Sequence, residues 1–122
     1  MSETSALSVV NAFLDAFVAR DCERMRSYLS DTQFSFVGPT RAFDNADDLA
    51  ADLTRIGPIL KRIERRSTLV QGNEVCVIFN FIATMPELDN TRVAQWFRVE
   101  DGKITAIELF YDAHPYHSMF EA

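Results

Sequence analysis

A chain of 122 residues, 48% hydrophobic and with ten phenylalanines, is long enough to bury one aromatic core without disulfides or metal. Its net charge of −6, from 12 basic and 18 acidic residues, argues against nucleic acid and against an anionic membrane surface, since both demand a basic face. Two cysteines without ligand spacing, no basic leader at Met1-Ser2-Glu3-Thr4 and no apolar run near the ~20 residues of a membrane span point to a reduced, cytoplasmic protein.

The first element is an amphipathic helix from about Thr4 to Arg20, because Leu7, Val10, Phe13, Leu14, Phe17 and Val18 recur at helical spacing. Asp21 recaps the chain and opens a short second helix whose stripe is Met25, Tyr28 and Leu29. Gln33 to Val37 alternates around Phe34 and Phe36 before Gly38-Pro39, as a short strand does. Asp44 or Asn45 caps a third helix, in which Asp47 and Asp48 favour the positive end and Leu49, Leu53 and Ile56 form the buried stripe. Gly57-Pro58 ends it.

The pattern then changes for good. Lys61 to Val70 alternates, Gly72-Asn73 turns, and Val75 to Ala83 is nearly all apolar. Glu87 to Asn90 turns, Thr91 to Glu100 alternates, Asp101-Gly102 supplies a tight positive-φ turn, and Lys103 to Tyr111 closes the run. Helices followed by a meander predict an α+β fold, with N-terminal helices packed on a curved antiparallel sheet. The strand Val75 to Ala83 is apolar on both sides, so both faces need cover: one from the helices, the other from a second subunit. No repeat, low-complexity tract or linker divides the chain, and residues 1–122 are read as a single domain.

Two stretches resemble a known family. They are Val10-Asn11-Ala12-Phe13-Leu14-Asp15-Ala16-Phe17 in the first helix and the terminal hairpin Phe97 to Ile104 with Leu109-Phe110-Tyr111-Asp112. With Ala19-Arg20-Asp21 between the first two helices, they make the chain similar to the nuclear-transport-factor-2-like superfamily, and within it to the SnoaL-like polyketide-cyclase group. The resemblance implies a cone-shaped barrel with a ligand pocket between helices and sheet, and a homodimer through the sheet's outer face. It implies no single reaction, since isomerases, cyclases, dehydratases, epoxide hydrolases and inert pockets share the fold.

Asp112 is the position that matches the SnoaL-like strand-end aspartate, which the resemblance casts as a general base. A carboxylate in a partly dry cavity can take a proton from carbon beside a carbonyl. The same residue at a strand end can instead face water or bond its own backbone. Glu108 shares a face with Phe110 and Asp112 by strict alternation, so it is either a second pocket carboxylate or an outer one. His114 is a candidate acid partner. Asp112, His114 and His117 have donor types that suit zinc or iron, but such spacing outside a rigid element is common by chance, and no metal is assigned.

Phe17, Tyr28, Phe36 and Trp96 are candidate cavity walls. Asn80, the lone polar residue in its strand, lines either a polar cavity or a subunit interface. Trp96 and Arg98 share one strand face and Gln95 and Phe97 the other; an inward Arg98 would clamp a ligand carbonyl or carboxylate. Lys61, Arg62, Arg65 and Arg66 read as a solvated or edge-protecting cluster. No phosphate loop, nucleophile elbow or His-Glu-x-x-His is present. The resulting expectation is cofactor-independent acid–base chemistry on a small hydrophobic molecule. The alternative is a non-catalytic binding or dimerisation module of the same fold.

Overall fold

The computed structural model describes residues 5–88 and 90–116. Helix α1 spans Ala6–Val18, with Ser5 as N-cap: its hydroxyl accepts from the Ser8 N–H at 3.1 Å. The chain then reverses at Arg20, whose φ of 58° is left-handed. Arg20 Nε donates to the Gly57 carbonyl at 3.1 Å, and its guanidinium also reaches the Leu60 carbonyl, tying this turn to the loop ahead of the long strands. Asp21 caps α2 (Cys22–Ser27), as its position predicts.

Strands β1 (Ser35–Val37) and β2 (Ala42–Phe43) form a short hairpin, and α3 (Ala46–Ile56) follows, capped by Asn45. Four longer strands complete the chain: β3 (Leu60–Gln71), β4 (Glu74–Ala83), β5 (Thr91–Glu100) and β6 (Lys103–Phe110). The six-stranded sheet runs β2-β1-β6-β5-β4-β3. The α+β architecture with helices on a curved sheet is therefore present. The sheet is open, and it is mixed rather than wholly antiparallel, because β1 lies parallel to β6. That pairing is long-range: β1 enters at the β6 edge after two helices, too far along the chain for a hairpin.

Curvature has a local cause. Register shifts interrupt β3 at Leu60/Arg62 and Arg65/Ser67, and the β5–β6 pair at Arg98/Val99. Such bulges bend the strand and sharpen its twist, which wraps the sheet around α1. Val9, Val10, Phe13, Leu14 and Phe17 of α1 then bury against Val75, Val77, Val93, Phe97 and Ile107. Phe13 meets Phe97 edge to face, with ring centroids 5.9 Å apart. Each such side chain contributes roughly 1.5–3 kcal/mol of apolar burial, so this contact settles which sheet face looks inward.

The other face remains open. Leu69, Cys76, Trp96, Glu108 and Val37 form one row across five strands by register. Leu69 is 58% exposed, and Val37 and Phe110 are each 54% exposed. No described helix is long and apolar enough to cross a membrane.

Candidate functional site

Between α1, α3 and the inner sheet face lies a partly open cavity of about 90 Å³. Its apolar walls come from Phe13, Leu14 and Phe17 on α1 and from Leu49, Leu53 and Ile56 on α3. Phe79, Val93, Ile107 and Leu109 supply the sheet side, and Phe36 closes the β1 end. The volume admits a few waters or one compact ring, well below the roughly 300–1,000 Å³ of drug-sized sites.

Five polar side chains interrupt this lining: Arg41, Asp52, Thr91, Gln95 and Tyr111. Asp52 is the carboxylate among them. It sits on α3 three residues beyond Leu49, hence on the helix's buried stripe, and its side chain is 3% exposed. A charge so placed must be paired. Arg41 Nη1 meets Asp52 Oδ1 at 3.1 Å, and Arg55 Nη2 donates to the same oxygen at 2.6 Å. The β1–β2 hairpin brings Arg41 there: the Gly38 N–H donates to the Arg41 carbonyl at 2.8 Å, fixing the loop beneath α3.

Gln95 enters from the sheet. Val93, Gln95 and Phe97 alternate inward along β5, and Gln95 is 9% exposed. Tyr111 follows the end of β6 and faces the same cavity, on the inward parity of Ile107 and Leu109.

Phe17 and Phe36 do line the cavity, but the other residues singled out from the sequence lie elsewhere. Glu108, Phe110 and Asp112 share a face as alternation requires, yet it is the outer one: Glu108 and Asp112 are exposed and neither lines the cavity. Asp112 Oδ1 accepts the backbone N–H of His114 at 3.0 Å, a local turn that occupies the carboxylate. His114 is exposed as well, and His117 lies outside the described residues. Among the described residues no group of three His, Cys, Asp or Glu side chains is placed to hold a metal ion.

Trp96 and Arg98 also face outward. The Trp96 indole N–H donates to Glu74 Oε1 at 3.4 Å, and the Arg98 guanidinium carbon lies 5.2 Å from the Trp96 ring centroid. Arg98 thus covers an aromatic ring and is not a clamp inside the cavity. Asn80 belongs to the outer side of β4, where its Oδ1 is buried without a partner among the described residues. Tyr28 caps the C-terminus of α2, packs against the core edge and accepts from Arg24 Nε at 3.2 Å. It does not line the cavity.

A second space of about 240 Å³ lies beneath the α1–α2 turn, against Arg20, Cys22, Thr54 and Pro58. Its polar groups are already engaged: Thr54 Oγ1 donates to Cys22 Sγ at 3.1 Å, and Arg20 serves backbone carbonyls.

A family model described as a SnoaL-like domain matches residues 10–107. Solved structures share the fold closely at low identity. An NTF2-like protein of unknown function from Cytophaga hutchinsonii superposes with a TM-score of 0.80 at 18% identity, covering 94% of this chain and 96% of its own. An LEH-like epoxide hydrolase from M. tuberculosis gives 0.77 at 20% identity, over 93% and 86% of the two chains. TerC co-crystallized with polyporic acid gives 0.77 at 19% identity, over 96% and 98%. No relative was found among curated proteins.

Proposed function

The chain belongs to the SnoaL-like domain family, and on that premise we propose that it is a small-molecule enzyme whose acid–base centre is Asp52 with Arg41. One observation carries the reading: a carboxylate whose side chain is 3% exposed stands on the wall of a largely apolar cavity, beside a guanidinium that lines the same cavity. Asp52 takes a proton from the carbon between a carbonyl and a C=C bond; the C–H electron pair becomes a π bond of the conjugated dienolate, and negative charge moves to oxygen. Arg41 hydrogen-bonds that oxygen, and the proton returns from Asp52 to a different carbon. The net change is an isomerisation, with no electron acceptor required. The substrate is a small hydrophobic ring compound, in keeping with the cavity's size.

A binding module without turnover is the rival reading. It draws support from Asp52 Oδ1 accepting from two guanidinium groups at once, which suits a structural tie as well as a base. Conversion of 3-cyclohexenone to 2-cyclohexenone, followed by ultraviolet absorbance, separates the two. We expect Asp52→Asn to lose about 10²–10⁴-fold in rate while still binding cyclohexanone. Asp112→Asn should match the parent. Equal turnover by Asp52→Asn rules out the base assignment.

We also propose a homodimer through the outer sheet face. Its row of Leu69, Cys76, Trp96 and Val37 carries both signs of charge, Glu108 within it and Glu74, Arg92 and Arg98 beside it, and a two-fold contact needs such self-complementarity.

A further inference from the structure

We propose that Gln95 reads a second polar group on the ligand, so that the cavity takes a compact ring bearing two oxygen functions; this rests on the reading of the cavity as a small-molecule site. Gln95 sits in the middle of β5, register-paired with Val77 on β4 and Leu109 on β6. All three point inward, and the two flanking positions on its own strand, Val93 and Phe97, are apolar. Nothing in the strand's packing asks for an amide there. A leucine or methionine would fill the position at no polar cost.

Gln95 is 9% exposed and its side-chain amide makes no hydrogen bond to a described residue, yet its polar atoms are not among the fully buried unpaired ones, Asn11 Oδ1 and Asn80 Oδ1, so the amide opens onto the cavity it lines. The other buried polar groups of the cavity differ in this respect, since Asp52 and Arg41 satisfy one another at 3.1 Å. An amide that opens onto an apolar cavity has its bonding capacity left for a ligand. An amide presents a donor and an acceptor together, so it pairs with a carbonyl through N–H or with a hydroxyl either way. The Arg41–Asp52 pair stands on the hairpin and helix wall, whereas Gln95 stands on the sheet wall. A ligand engaging both carries oxygen on two sides of a small apolar body.

Cyclohexanone and 1,4-cyclohexanedione test this directly, because they differ by one carbonyl on the same ring. We expect the parent protein to bind the dione about five- to tenfold more tightly in an NMR titration, the value of one neutral hydrogen bond. Gln95→Met, which keeps chain length, should bring that ratio close to one. A parent that binds both ketones equally, or a Gln95→Met protein that keeps the preference, overturns the role of Gln95 and leaves the pocket reading standing. If neither ketone binds the parent, the pocket reading fails and this inference with it.

Discussion

Asp52 and Asp112 are the same side chain in opposite circumstances. Asp52 is 4% exposed and bound to two arginines, whereas Asp112 is exposed and turned onto the N–H two residues ahead. Its two partners are not equivalent. Arg41 has 22% of its side chain exposed and Arg55 has 68%, so Arg41 supplies most of the desolvated pairing. We expect Arg41→Met to cost about 1–3 kcal/mol in urea unfolding, because it leaves the buried Asp52 with only the exposed Arg55 as partner. Arg55→Met should cost less than about 1 kcal/mol, as exposed pairs do. Equal losses would mean that the pair is not anchored by Arg41. Asp52 was legible in principle: it falls among Leu49, Leu53 and Ile56 on the buried stripe of α3, where an acid is out of place. Arg41 had no such signal, since a loop arginine before a short strand is ordinary.

At the scale of elements, local chemistry reads well. Asn45 Oδ1 accepts the Asp48 N–H at 2.9 Å, and Asn45→Ala should cost about 1 kcal/mol by losing that cap. The β5–β6 turn places Asp101 at φ 54° and Gly102 at φ 77°, as its Asp-Gly pair predicts. Gly102→Ala should lower stability by about 1–2 kcal/mol, measurable in the same denaturation experiment, since Cβ crowds the carbonyl in that region. Alternation along β6 correctly groups Glu108, Phe110 and Asp112. It cannot say which way the group points. Likewise β2, only two residues long, carries no periodic signature, and its partner β1 pairs in parallel with a strand some seventy residues later, roughly the separation at which only tertiary contact decides.

For the molecule as a whole, the open sheet face is the outstanding feature. Leu69, Val37 and Phe110 are more than half exposed on a face whose centre is Trp96 and Cys76. Burial already raises the pKa of the Cys76 thiol above its ordinary value, so little thiolate is present near neutral pH and alkylation should quicken as pH rises. If two copies cover this face, light scattering should give a dimer at micromolar concentration and Trp96→Glu a monomer. Cys76 in that variant should react with iodoacetamide faster than in the parent at the same pH. A parent that is monomeric at that concentration would remove the interface.

The amino-acid sequence by itself determined the order of the helices and long strands, their caps and turns, the α+β class and the alternation along β5 and the second half of β6, because each of these follows from neighbours within a few residues. Tertiary structure alone decided the sign of that parity. Once α1 lays Phe13 against Phe97, Gln95 turns inward with it, and Trp96, Arg98, Glu108 and Asp112 are left outside. The same packing brings α3 over the β1–β2 hairpin, so that Arg41 meets Asp52. A period of two says which residues travel together; only the apolar surface of the helices says which set is buried.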